Sequence, residues 1–163
     1  MLGEAYAASG QTDRAREAFR RAEALGTATA ETRAEVAFQD AYARFVAGQY
    51  AEAVPALLAV ADGDPTGPRA GEALFWAGES AFQAREHARA ETILRDLLRR
   101  YPDHPRSDAA RYVIAWTFYQ RGQTANAADA FERFLSAYTR SGELVPYYAD
   151  ALLRLGDLYT VLG

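Results

Sequence analysis

Small and large hydrophobic positions follow a register that repeats about every 37 residues along the chain. A glycine or alanine recurs at Gly3, Ala41, Gly78, Ala115 and Gly156, with spacings of 38, 37, 37 and 41 residues. About twelve residues after each of the first four, a second small residue is followed four positions later by a large apolar one. These pairs are Ala15 and Phe19, Ala53 and Leu57, Ala90 and Leu94, and Ala127 and Phe131. The pattern predicts antiparallel helix pairs, because small residues let two backbones approach and large neighbours fill the space beside them.

Short polar segments with Gly or Pro separate the predicted helices. They indicate a single array of about 4.5 helix pairs, with partial first and last repeats, over roughly 1–27, 31–66, 69–104, 107–140 and 144–163. Pro55 falls inside a predicted second helix, so we expect a distorted first turn or a late helix start there. Pro146 suits the first turn of the last helix.

Composition agrees with an all-α fold and excludes several functional classes. The 163 residues include 36 Ala, 18 Arg, no Lys and only 6 Pro, which favours helix over strand. The absence of Cys excludes thiol nucleophiles and Cys-ligated zinc. A net charge of -4 argues against a nucleic-acid partner, and no apolar run is long enough for membrane insertion.

Candidate chemistry is sparse. His87 and His104 are the two histidines, and neither has a companion at metal-ligand spacing. Gly78-Glu79-Ser80 resembles the start of a nucleophile elbow, but it lies in mid-helix and Phe82 replaces the second glycine. The sequence therefore predicts a protein that is not an enzyme and has no cofactor and no metal site.

The repeat resembles the tetratricopeptide repeat (TPR), whose pattern is followed at Leu2-Gly3, Tyr6, Ala15 and Phe19 and again at Leu155-Gly156 and Tyr159. The period is longer than the usual 34 residues, and Arg44 and Ala81 stand where Tyr is typical. The resemblance implies a right-handed α-α superhelix that binds proteins or peptides on its concave face. Long repeats ending in Tyr-Pro-Asp, as at 101–103, are similar to those of bacterial cell-envelope members, the Tol-Pal-associated and outer-membrane assembly proteins. A periplasmic or envelope location follows as an expectation, with the cytoplasm as the alternative.

Three positions around each small anchor share one stripe of the predicted first helix, and by the resemblance this stripe lines the concave face. The candidate groove residues are Phe38, Tyr42, Phe45, Phe75, Glu79, Phe82, Tyr112, Trp116, Tyr119 and Asp157. For the phenylalanines, packing between helices is an equally good interpretation. The polar atoms of Tyr42, Trp116 and Tyr119 favour exposure in the groove.

An aromatic groove with occasional carboxylates suits an apolar or aromatic peptide that carries a basic residue reaching Glu79 or Asp157. The absence of Lys disfavours a C-terminal carboxylate as ligand. The alternative is a structural module that forms a homo-oligomer or docks on other domains of a longer chain, with the same aromatics buried in the contact. The chain starts inside a predicted first helix, so we expect it to be part of a longer array.

Overall fold

Paired α-helices build the part of the chain that the computed structural model describes, residues 17, 20–21, 24–26, 29–138 and 145–163. Tyr138, Val145 and Pro146 are described by their backbone alone. From residue 29 onward, the described ranges contain seven helices: α1 (Ala30–Val46), α2 (Tyr50–Gly63), α3 (Ala70–Gln83), α4 (His87–Arg100), α5 (Ser107–Gln120), α6 (Thr124–Tyr138) and α7 (Val145–Leu162). No strand occurs in those ranges. The predicted all-α fold is confirmed, while Gly3 and most of the predicted first repeat lie outside the described residues.

The predicted small-residue register marks where the helices of a pair touch. Ala41 and Ala115 in the first helices are buried. A Cβ added at Gly78 would lie 2.4 Å from Leu94 Cδ2, so this crossing tolerates no side chain. On the second helices, the alanines and the large residues four positions later are fully buried. These are Ala53, Ala90, Ala127, Leu57, Leu94 and Phe131. Close packing of this kind makes each pair one structural unit.

The turn inside each pair has the same geometry. Gly48, Arg85 and Gly122, spaced 37 residues apart, adopt positive φ angles of 74°, 63° and 67°. In each turn the next amide donates to the carbonyl five residues earlier, as Gln49 N does to Arg44 O at 2.9 Å. This is the Schellman ending of a helix, which favours glycine at the left-handed position. In the second of these turns, this left-handed position is occupied by an arginine, Arg85, instead of a glycine.

Pro55 does not delay its helix, so the expected late start is wrong. Helix α2 begins at Tyr50 and continues through Pro55 to Gly63. The Ala53 amide donates to Gln49 O at 2.9 Å, so the first turn is hydrogen-bonded. Pro55 is exposed, and its ring does not enter the core. Helix α7 begins at Val145, with Pro146 in its first turn as predicted.

Neighbouring pairs pack so that the first helices form one layer. Helix α1 contacts α3, α3 contacts α5, and α5 contacts α7 through Tyr112. Helices α2, α4 and α6 each fill the space between two first helices. In the described ranges the second helices have no comparable contacts with one another, which favours curvature of the array toward the first-helix face. None of the described helices combines the length and hydropathy that crossing a bilayer requires.

Candidate peptide-binding groove

An open groove of about 1000 Å³ lies on the first-helix face. Every residue that lines it belongs to a first helix or to the loop between α4 and α5. Its aromatic lining consists of Phe45, Phe75, Trp76, Phe82, Tyr112, Trp116 and Tyr147. Both tryptophans of the chain line this groove. This is the face on which the family resemblance places ligand binding.

Six of the ten candidate residues line the groove. They are Phe45, Phe75, Glu79, Phe82, Tyr112 and Trp116. Tyr119 and Asp157 instead line a separate hollow of about 160 Å³ between α5 and α7. Phe38 is 4% exposed and Tyr42 is half-buried, and neither lines the groove.

The expected exposure of Tyr42, Trp116 and Tyr119 is therefore only partly met, since all three are half-buried. Tyr42 packs between first helices, with its ring centroid 4.8 Å from that of Trp76. The Arg154 guanidinium carbon lies 5.2 Å from the Trp116 centroid and 5.9 Å from the Tyr119 centroid. Ring stacking and cation–π contacts cover the faces of these side chains, while Trp116 keeps part of its surface in the groove.

Trp76 is the main groove residue that the sequence pattern missed. It lies two residues before the Gly78 anchor, outside the three positions assigned to the stripe. Its ring contacts Phe45 with centroids 4.8 Å apart, and its Nε1–H donates to Glu72 Oε1 at 2.8 Å. The carboxylate four residues before an indole, one helical turn away, is the signal that could have identified it.

The loop between α4 and α5 forms one wall of the groove and is fixed by hydrogen bonds. The His104 amide donates to Tyr101 O at 3.1 Å, and the Ser107 hydroxyl donates to the same oxygen at 3.2 Å. The His104 ring packs on Gly71, where an added Cβ would lie 2.6 Å from His104 Cδ2. Arg106 N–H donates to His104 Nδ1 at 3.1 Å, which places the proton of the neutral ring on Nε2.

Burial is the main cause of the pKa shifts of two groove residues, His104 and Glu79. It lowers the pKa of His104, although the nearby Glu72 carboxylate acts in the opposite direction. It raises the pKa of Glu79, and the hydrogen bond from Gln83 Nε2, at 2.8 Å, only partly offsets this. No cation of the described residues forms an ion pair with Glu79. A half-buried carboxylate without a counter-charge is suited to bind a cationic group.

Within the described ranges, no group of three or more His, Asp or Glu side chains is placed to hold a metal ion. The groove instead offers ring faces and carboxylates, which can bind an extended segment but contain no nucleophile paired with a base.

Stacked helix pairs of this kind define an α-solenoid. A family model of the tetratricopeptide repeat matches residues 38–105, 89–142 and 112–163, and a second model of the same repeat matches residues 1–24. The chain belongs to the tetratricopeptide repeat family, as its sequence pattern predicts. Proteins of this family generally mediate protein–protein interactions.

Two solved structures share the fold. Both are of TPR-like repeats from a putative kinesin light chain of Podospora anserina, one of them a single-substitution variant. Each is 19% identical in sequence, with TM-scores of 0.65 and 0.66, and the match covers 98% of this chain and 82% of the other. No curated protein sequence matches the chain.

Proposed function

We propose that this protein is a non-enzymatic scaffold that binds an apolar or aromatic peptide segment of a partner protein in its first-helix groove. The observation that carries the proposal is the groove of about 1000 Å³, whose walls present seven aromatic side chains. Aromatic side chains contribute much of the energy of peptide recognition because they bury large areas at low entropic cost. Glu79 supplies a carboxylate for a basic residue of the same segment.

The test uses peptides selected from a phage-displayed library of random dodecamers against the immobilised full chain. We expect Trp116→Ala and Phe82→Ala to lower the affinity for the selected peptides by tenfold or more, since each removes part of the groove wall. Val46→Ala, an exposed position outside the groove, is the matched control and should leave affinity unchanged. Circular dichroism establishes that the variants remain helical. Peptides that bind equally well to all variants would contradict the proposal.

A second candidate function is self-association through α7. Leu152, Leu153, Tyr159, Val161 and Leu162 on this helix are 48%, 60%, 48%, 73% and 48% exposed. A Cβ added at Gly156 would have nothing within 4 Å, whereas the equivalent Gly78 packs on a second helix. A face that carries this much exposed apolar surface is suited to pack against another helix.

Light scattering separates the two functions. If α7 forms a dimer, Leu153→Asp with Val161→Asp should give a monomer that still binds the selected peptides. Trp116→Ala should leave the oligomeric state unchanged. A monomeric wild-type chain would remove this second candidate, and loss of a dimer by Trp116→Ala would place the contact in the groove.

We also propose a bacterial cell-envelope location. The period of 37 to 38 residues and the Tyr101-Pro102-Asp103 repeat ending support it, because both features are similar to envelope members of the family. Fractionation of cells that express the parent protein tests this directly. Recovery in the periplasmic or membrane fraction is expected, and recovery in the cytoplasm alone would contradict it.

A further inference from the structure

The first helices hold arginine side chains in a recurring arrangement, a glutamate followed three residues later by a phenylalanine. In α1, the Glu35 carboxylate forms an ion pair with the Arg69 guanidinium. The guanidinium carbon of Arg69 lies 5.1 Å from the centroid of the Phe38 ring. Arg69 comes from the N-cap of α3, so the carboxylate and the ring together bind a side chain of the following repeat.

The same arrangement recurs one repeat later. Arg106, at the N-cap of α5, lies with Nη2 3.3 Å from Glu72 Oε1 and with its guanidinium carbon 5.3 Å from the Phe75 centroid. Residues three apart are neighbours on a helix surface, so one cation can contact both the carboxylate and the ring. In both occurrences, which are 37 residues apart and therefore at the same repeat position, a Glu-x-x-Phe pair on a first helix holds a guanidinium.

Glu79 and Phe82 form a third pair with this spacing, and both line the groove. In the described part of the chain no arginine occupies it. The Glu79 carboxylate accepts a hydrogen bond from Gln83, and the Phe82 ring contacts the His87 ring with centroids 5.3 Å apart. Burial lowers the pKa of His87, and the charges of Arg85 and Arg121 lower it further, which disfavours a cationic imidazole beside Phe82.

The charge balance of the groove also favours a positively charged ligand. Of its carboxylates, Glu72 pairs with Arg106 at 3.3 Å and Asp108 pairs with Arg111 at 2.7 Å. The carboxylates of Glu79 and Asp103 have no ion-pair partner among the described residues. Lined in this way, the groove carries more negative than positive charge, which complements a segment with positive charge.

We propose that the Glu79–Phe82 pair receives an arginine side chain of the bound segment. The inference rests on the proposed function, since it assumes a peptide in the groove, and it adds the residue that the groove recognises. A planar guanidinium can stack on the Phe82 ring while it donates to the Glu79 carboxylate, as Arg69 and Arg106 do at the two earlier pairs. A lysine ammonium is a compact, strongly hydrated charge and satisfies both contacts less well.

The experiment replaces arginine in the tightest of the selected dodecamers with lysine and, separately, with citrulline, which keeps the shape and removes the charge. We expect the citrulline peptide to bind about tenfold or more weakly, with the lysine peptide between the two. In a double-mutant cycle, Glu79→Gln should weaken the arginine peptide by a similar factor and remove the difference between arginine and citrulline.

Asp103→Asn is the matched control, since it removes the other uncompensated groove carboxylate. It should leave the difference between the arginine and citrulline peptides unchanged. Equal binding of both peptides, or an equal difference in Glu79→Gln, would overturn the inference. If the peptides still depend on Trp116 in that case, the proposed function stands and the arginine assignment alone fails. A selection that yields no groove-dependent peptide contradicts the proposed function itself.

Discussion

At the residue scale, arginine side chains cover several of the aromatic rings on the first helices. The chain contains 18 Arg and no Lys. Arg69 lies over Phe38, Arg106 over Phe75 and Trp76, and Arg154 over Trp116. Guanidinium groups stack on aromatic faces and are less strongly hydrated than ammonium groups, so they can cover rings at half-buried positions. Among the described groove residues, Phe82 has no arginine over its ring and contacts the His87 ring instead.

The ionisation of Glu79 should cost stability in the absence of a ligand. Burial raises the pKa of Glu79 from its ordinary value of 4.5. The contribution of this group to the free energy of unfolding is therefore fully present below pH 4.5 and is lost as the pH rises through the raised pKa. We expect Glu79→Gln to unfold at a higher temperature than wild type at pH 7, with the difference vanishing near pH 4. Asp103→Asn, on an exposed loop residue, serves as control in the same thermal scans. An unchanged or lower melting temperature for Glu79→Gln at pH 7 would contradict the cause assigned to the shift.

Arg85 is a strained residue where the equivalent turns have glycine. Its φ of 63° lies in the left-handed region, which costs a non-glycine residue about 1 kcal/mol. Arg85→Gly should therefore raise the free energy of unfolding by about that amount in urea titrations. The reverse change at the equivalent turn, Gly122→Ala, should lower it by a similar amount. Stabilisation by both or by neither would show that the two turns are not equivalent.

At the element scale, the helix pair is the unit that the sequence predicts best. The small residues at Ala41, Gly78 and Ala115 identify the crossing points because close approach of two helices demands them. The groove wall is predicted less well. Whether a ring on a first helix faces the groove depends on what the next repeat places over it, and the 37-residue pattern gives no indication that Arg69 covers Phe38. The pattern does not identify Trp76, because this residue lies one position away from the assigned stripe and its large ring still reaches the groove.

The same substitution at two equivalent anchors should have opposite effects. Gly78→Ala puts a Cβ within 2.4 Å of the Leu94 side chain and should destabilise the chain by about 1 to 3 kcal/mol through overpacking. Gly156→Ala meets nothing within 4 Å and should stabilise α7 by up to about 1 kcal/mol, because alanine is the better helix former. Urea unfolding of both variants measures the difference. Destabilisation by Gly156→Ala would mean that the α7 face is covered in solution.

The contact between α5 and α7 should depend on pH above 10. The Tyr112 hydroxyl donates to Asp150 Oδ2 at 2.7 Å, and burial together with this carboxylate raises the pKa of Tyr112 to about 12. The folded chain then holds the phenolic proton more tightly than the unfolded chain. The stabilisation is complete below pH 10 and is lost between pH 10 and pH 12. Tyr112→Phe should be less stable at pH 8 and should lose less stability over that interval, as followed by thermal unfolding at each pH.

At the scale of the whole molecule, the groove follows from the curvature of the array. First helices contact one another from pair to pair, so their inward faces converge and the rings of α1, α3, α5 and α7 meet around one space. The sequence predicted this face through the family resemblance. It could not separate Phe82 and Trp116, which line the groove, from Tyr119 and Asp157, which line a different hollow, because the distances between repeats depend on packing.

The indole resonances of Trp76 and Trp116 test the account most directly, because the chain has two tryptophans and both line the groove. A selected arginine-containing dodecamer is titrated into the ¹⁵N-labelled full chain, and the two indole N–H signals are followed by NMR. We predict that the Trp116 signal and the Glu79 and Phe82 amides shift together, with one dissociation constant. Shifts confined to α7 or to the second helices, with both indole signals unmoved, would contradict a binding groove on the first-helix face.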